Sequence, residues 1–354
     1  MIKVLGLTLY GSRAASSRYR ILQYTEGLRR AGIDIEFSPL LGNAYLDASY
    51  KGEKYSYSAL FLDYFRRMTK LIGQKRYDLA IVQAELFPFM PGLIDADIFR
   101  IPYIYDFDDS FHLKYTLERF KGISFLLADK FVPVISRSSA VLAGNQYLAD
   151  FAKGLNRQVY VLPTVVDTNR YVAKARTSCG GGVFTVGWIG SPSTSVYLSQ
   201  LHSPLSRLGL ESPLRFIVVG GHCEPIPNVE VVVTPWSEST EIDLINTFDV
   251  GVMPLFDDEW ARGKCAFKLI QYMGCGIPVV ASPVGANVEV VDEASGFLAR
   301  SSDEWADCLR RLRDNPHLRS SMGREGRARV ERRYSLDVGI PIMVEAIRSV
   351  ASRK

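Results

Sequence analysis

Short apolar runs alternate along this chain with longer stretches of three- and four-residue apolar spacing, and the whole alternation occurs twice. A strand-length run followed by a helical pattern, repeated, constrains a chain to parallel β-α-β units, because each crossover helix returns the backbone to a parallel neighbour. In the first half the pattern predicts strands at Lys3–Thr8, Asp34–Phe37, Leu79–Gln83, Tyr103–Asp106, Ala140–Ala143 and Val159–Leu162. Helices are predicted near Ser17–Arg30, Ser58–Ile72, Pro91–Phe99, Ile123–Ser136 and Gln146–Lys153. In the second half strands fall at Phe184–Ile189, Arg215–Val219, Val229–Val233, Val250–Pro254 and Pro278–Ala281. Their helices lie near Thr194–Leu208, Ser239–Asn246, Lys264–Cys275, Asp303–Arg313 and Leu318–Arg332.

Between the halves, Asp167–Gly182 is polar, lacks an apolar period and ends in three glycines, so it reads as a linker. The expected organisation is an N-terminal domain over 1–166, the linker over 167–182, a second domain over 183–333 and a closing helical segment over 334–354. In that segment Ile340, Ile342, Met343, Ala346, Ile347 and Val350 share one face.

Composition narrows the class. With 354 residues, 47% of them hydrophobic and 23% charged, the chain can build two cores. Its start, MIKVLGLTLYGS, reads as a first strand instead of a signal peptide, and no run reaches the ~18 apolar residues of a membrane span. A cytoplasmic protein is expected. The five cysteines have no Cys-x-x-Cys spacing, so neither a disulfide framework nor a zinc site is indicated. The formal charge of +4 lies entirely before Thr168, where 21 Lys and Arg face 17 Asp and Glu; beyond it the counts are 21 and 21. That surplus favours an anionic substrate or surface near the N-terminal domain and is too small for a nucleic-acid binder.

The most informative stretch is DDEWARGKCAFKLIQYMGCGIPVVASPVGAN, from Asp257 to Asn287. It predicts a helix opening near Gly263 and stopped by Gly276, then a buried strand. Lys264 and Lys268 would share a face in the first two turns, where the helix dipole disfavours a cation. An anion such as a diphosphate would satisfy both lysines and the free N–H groups of the helix start. Solvated surface lysines are the alternative, which the glycine before the helix and the buried strand after it disfavour.

The segment FKLIQYMGCGIPVVASPVGANVEVV resembles the donor-binding segment of GT-B glycosyltransferases of family 4, through Met273, Gly276, Pro278, Val279, Val280 and Ala281. The resemblance covers most of residues 140 to 300. It implies two Rossmann-like parallel-sheet domains facing across a cleft, a nucleotide-diphosphate sugar as donor, retention of configuration, and no metal or other cofactor. Two family acids are missing. Gln271 stands where the ribose-binding Glu belongs, and Gly263 where the first Glu belongs. Gln271 keeps the hydrogen-bonding role in neutral form, whereas Gly263 has no side chain to offer.

On the donor side, Gly190 and Ser191 follow a strand directly, and Gly220 ends another. The Arg and Lys that the family carries after the first of these turns are absent here, which transfers the diphosphate to Lys264 and Lys268. Trp236 is a candidate to lie against the base, or simply fills a gap between strand and helix. Glu259 either holds sugar hydroxyls or pairs with a base, and Asp257 is expected to pair with Arg262 or Lys264.

In the first half, Asp106, Asp108 and Asp109 crowd a strand end, costly unless hydroxyls or cations meet them. The family's His-Asp pair does not transfer, because Tyr105 falls at the histidine position; His112 is a substitute, or a structural histidine. Arg18 and Arg20 lie in the first strand-to-helix connection, where Ser16 or Ser17 can cap the helix. Glu85 and Asn145 are further strand-end candidates facing the acceptor. The stretch Ser58–Ile72 mixes apolar and basic residues, as a helix packed on the core with solvated arginines does, or one lying on an anionic membrane.

The expected activity is sugar transfer to an acceptor hydroxyl in glycan, polysaccharide or glycolipid synthesis, with peripheral membrane contact an open alternative. The rivals are a catalytically degenerate partner subunit that binds the sugar nucleotide, and a nucleotide-sugar epimerase or phosphorylase on the same fold. A dinucleotide oxidoreductase is disfavoured, since no Gly-x-Gly-x-x-Gly follows the first strand.

Overall fold

The computed structural model describes residues 1–173 and 182–352. The chain divides into two compact units, one comprising Met1–Thr164, Gly263–Cys265 and Leu336–Lys354, the other Val165–Arg262 and Ala266–Ser335. Each is built on a six-stranded parallel sheet.

The first sheet has strands β1 (Ile2–Tyr10), β2 (Ile33–Leu41), β3 (Leu79–Gln83), β4 (Tyr103–Phe107), β5 (Ala140–Ala143) and β6 (Val159–Val161), in the order β2-β1-β3-β4-β5-β6. Strand order reverses between β1 and β3, and ligands of open α/β sheets bind outside the carboxyl ends at such a point. Every residue of β3, β4 and β5 is buried, which is why these strands read as unbroken apolar runs.

The helices depart more from expectation. The stretch Ser17–Arg30 breaks into Ala15–Arg20, a 3-10 turn at Leu22–Tyr24, and Thr25–Arg30. Neither serine caps it: Ala14 precedes the first helix, and the Ser17 hydroxyl donates to the Tyr10 carbonyl at 2.7 Å. Ile123–Ser136 divides into Ser124–Leu127 and Phe131–Ser136, with Pro133 in the first turn of the second piece, where its missing N–H costs nothing. Asn43–Lys51 is a helix without an apolar period. The closing helix, Leu336–Ala351, belongs to this first unit. Ile340 packs so tightly on Gly27 that a β-carbon there would lie 2.4 Å from its Cδ1, and Arg348 donates to the Ala31 carbonyl at 2.9 Å.

The second sheet has β7 (Phe184–Ile189), β8 (Leu214–Val219), β9 (Glu230–Thr234), β10 (Val250–Met253), β11 (Val279–Ala281) and β12 (Gly296–Leu298), in the order β12-β11-β10-β7-β8-β9. Its reversal falls between β7 and β10. Trp188, Phe216, Leu205, Leu309 and Trp305 pack together as the core of one face. The short edge strand β12 carries no apolar run of its own, so its pattern is silent in the sequence.

The helix expected to open near Gly263 starts at Phe267, behind Ala266 in a left-handed conformation at φ 53°. It ends at Gly274 in a Schellman motif. Gly276 takes φ 69°, its N–H donates to Met273, and the Ile277 N–H donates to Tyr272. Pro278 then leads into β11.

Of the expected linker, residues 174–181 lie outside the described residues. The part before them packs on the second unit: Tyr171 is fully buried, and the Arg327 guanidinium donates to the carbonyls of Thr168, at 2.8 Å, and Tyr171.

Candidate active site

In the second unit the carboxyl edge is closed by glycines held to protein atoms. A β-carbon on Gly190 would lie 2.3 Å from the Trp188 ring, and one on Gly220, which has φ 76°, would lie 2.5 Å from the Gly190 carbonyl. Both glycines are therefore required for the packing of the two turns, whatever approaches them. Ser191 caps the following 3-10 helix, Pro192–Leu201, in a reciprocal pair with Thr194.

Lys268 sits in the first turn of the helix Phe267–Gly274, half-buried, with its ammonium nitrogen 5.5 Å from the centre of the Trp188 ring. That helix has no side-chain cap and no acid in its first turn. A helix start of this kind, with a cation beside it, favours negative charge. Lys264 lies before the helix and belongs to the first unit, so the two lysines do not share a helical face as expected.

Gln271 is buried at the head of a hydrogen-bonded chain. Its amide donates to the Tyr171 hydroxyl at 2.9 Å, and that hydroxyl donates to Glu241. The other Glu241 oxygen accepts from the Trp236 indole at 2.6 Å. Trp236 and Gln271 are thus joined through a buried carboxylate that the sequence reading missed. No local signal marks Glu241; only the fold brings Tyr171, 70 residues away in sequence, onto it. Asp257 pairs with Arg262 at 2.8 Å as anticipated, while Glu259 is exposed at the start of the short helix Glu259–Arg262.

In the first unit, Arg20 and Asp106 form a fully buried pair, with the Arg20 Nε 3.1 Å from one carboxylate oxygen and its Nη1 2.6 Å from the Leu162 carbonyl. Burial raises the Asp106 pKa against the opposing pull of Arg20. Asp108, half-buried, is pushed up to about 6 by burial, with Arg20 pulling it down and Asp106 and Asp109 pushing it further up. Asp109 meets Lys264 at 3.5 Å. The three acids are thus answered by Arg20 and Lys264.

Three residues, Gly263–Cys265, pack on these strand ends. Asn145 caps the helix Gln146–Lys153 through the Leu148 N–H at 2.8 Å and donates to the carbonyls of Gly263, at 2.9 Å, and Lys264, at 3.2 Å. The Cys265 thiol donates to the Asp108 carbonyl at 3.0 Å. A β-carbon on Gly263 would lie 1.9 Å from the Ser110 hydroxyl oxygen.

The remaining candidates have structural partners. Glu85 is buried and accepts from Tyr115, Lys114 and Lys130, the last at 2.6 Å. His112 stacks on Phe151 with ring centres 4.1 Å apart, and burial pulls its pKa down to about 4, so it is neutral near pH 7. Arg18 donates to the Arg13 carbonyl at 2.7 Å.

The backbone is similar to that of HepE from Anabaena, solved in complex with UDP-glucose: TM-score 0.71 over 99% of this chain and 100% of that one, at 16% identity. This is the GT-B fold. Residues 185–315, within the second unit, match the family model described as "Glycosyl transferases group 1". Two curated relatives agree. A GDP-mannose-dependent monoacylated alpha-(1-6)-phosphatidylinositol monomannoside mannosyltransferase from Corynebacterium glutamicum is 35% identical over 20% of this chain. A D-inositol 3-phosphate glycosyltransferase from Saccharomonospora viridis is 32% identical over 30% of it. The matches span 19% and 25% of the lengths of those two proteins.

Proposed function

We propose that this protein transfers a sugar from a nucleotide-diphosphate sugar to an acceptor hydroxyl, with retained configuration and without a metal. The observation that carries the reading is Lys268 at an uncapped helix start, on the carboxyl side of the sheet, within the segment of group 1 likeness. As the glycosidic bond breaks, negative charge grows on the departing diphosphate. A fixed ammonium and helix-start N–H groups stabilise that charge more than they stabilise the intact donor.

The buried Gln271–Tyr171–Glu241–Trp236 chain would hold the helix and the segment after β9 together beneath the nucleotide. Asp108, ionising near 6, is the carboxylate assigned to the sugar in this reading. The donors in the names of similar proteins differ in base, UDP-glucose for HepE and GDP-mannose for the Corynebacterium enzyme. The nucleotide is therefore assigned by experiment: melting shifts and nucleotide release with UDP-, GDP- and ADP-sugars, with glycolipid and oligosaccharide acceptors. Donor binding without nucleotide release in the presence of every acceptor would favour a degenerate subunit. Donor consumption without acceptor would favour an epimerase or phosphorylase.

A further inference from the structure

The helix Tyr57–Ile72 packs Leu60, Tyr64 and Leu71 on the core, buries two charged residues beside them and leaves an apolar row exposed. Its buried side carries Arg67, 1% exposed, which donates to the carbonyls of Thr8 at 2.6 Å and Ser38 at 3.0 Å, and Asp63, which accepts from Tyr55 at 2.8 Å. Its open side carries Tyr57 (90% exposed), Phe61 (74%), Phe65 (55%), Met68 (38%) and Ile72 (78%). These five recur at spacings of four, four, three and four, so they form one stripe along the helix. Scattered exposed apolar residues are ordinary, but a continuous stripe opposite a buried guanidinium is not.

The apolar surface does not stop at the helix. Tyr64 packs on Phe87 with ring centres 5.5 Å apart, and the chain beyond Phe87 presents Phe89, Leu93 and Ile94 to solvent. Phe89 lies 6.2 Å from the Phe120 ring, and Phe125 just after it is 87% exposed.

The charge around the stripe is one-sided. Residues 51 to 76 hold seven Lys and Arg against Glu53 and Asp63. Arg67 is buried, Glu36 on β2 answers Lys70 and Arg76, and Asp63 lies 3.6 Å from Arg66, which leaves a local surface surplus of three positive charges.

We propose that this face is the seat of an anionic lipid bilayer, with the helix lying in the interface plane and the basic residues at the headgroups. No helix among the described residues is long and apolar enough to cross a membrane, so the attachment is to one surface. A second copy of the chain fits less well. A two-fold contact through this face would bring the two positive surpluses together.

The test is flotation of the purified full chain with phosphatidylcholine vesicles, with and without about one quarter phosphatidylglycerol. The expected result is binding to the anionic vesicles, at least about tenfold weaker with neutral ones or in high salt. The double variant Phe61→Ser, Phe65→Ser should lose binding by a similar factor. Both side chains are exposed, so its melting temperature should match the wild type. Failure of the wild type to float, or equal flotation of the double variant, overturns the proposal. So does sedimentation showing a wild-type dimer that the double variant abolishes, since a second copy would then cover the face. None of these outcomes depends on sugar transfer.

Discussion

Gly263 and Ser110 stand so close that no side chain fits between them: a β-carbon on Gly263 would fall 1.9 Å from the serine hydroxyl oxygen. The position at which the resembled family carries an acid is here filled by a neighbour's side chain. Gly263→Ala should therefore lower the melting temperature, by an amount corresponding to roughly 1–3 kcal/mol, and Gly263→Glu by more. Pairing Gly263→Ala with Ser110→Gly should recover part of the loss. Thermal melts of the single and double variants check this, and additive losses would count against the contact.

Lys268→Ala should reduce turnover about ten- to hundredfold with the melting temperature little changed, the range expected from one charge-assisted hydrogen bond of ~1.5–3 kcal/mol. Nucleotide release at saturating donor is the measurement. An unchanged rate removes Lys268 from the chemistry and leaves its contact with Trp188 as packing.

Arg20→Ala strands Asp106 in a fully buried site. Breaking such a pair from one side costs about 3–5 kcal/mol. The double variant Arg20→Leu, Asp106→Leu should be more stable than Arg20→Ala alone. Denaturant melts separate the two outcomes, and a mild effect of Arg20→Ala would mean the pair is open to water.

Asp95 gives the fold a pH slope. Burial pushes its carboxyl up to about 7, against the pull of Lys130 at 3.3 Å. A carboxyl that holds its proton more tightly folded than unfolded contributes most below about pH 4, and that contribution is lost as pH rises to about 7. The melting temperature of Asp95→Asn relative to wild type should therefore improve between about pH 4 and about pH 8. A constant difference across that range would contradict the assignment.

For Asp108, the expected signature is in the rate. Activity should rise with pH through about 6 as its carboxyl ionises, and Asp108→Asn should lack that limb. The pH profile of nucleotide release decides it.

The sheet strands were legible because their residues are buried on both sides, so that burial alone wrote an apolar run at Leu79–Gln83 or Phe184–Ile189. The site was less so. The start of the helix at Phe267 depends on a left-handed Ala266, which no residue type announces, and this displaced Lys264 from the face assigned to it. Arg67 looked solvated because a guanidinium next to Arg66 usually is; its buried carbonyl partners, on Thr8 and Ser38, come from strands distant in the chain. Glu241 and Ser110 act through partners that only tertiary structure supplies.

The closing helix bears on how the protein is made. Ile340 and Arg348 complete a unit whose sheet was synthesised long before them. On the ribosome that sheet must wait with an open flank, while the intervening Rossmann-like unit, nearly continuous in the chain, can close first. Order of emergence and order of completion are thus reversed, and a nascent chain halted before Leu336 would carry a finished second half and an unfinished first.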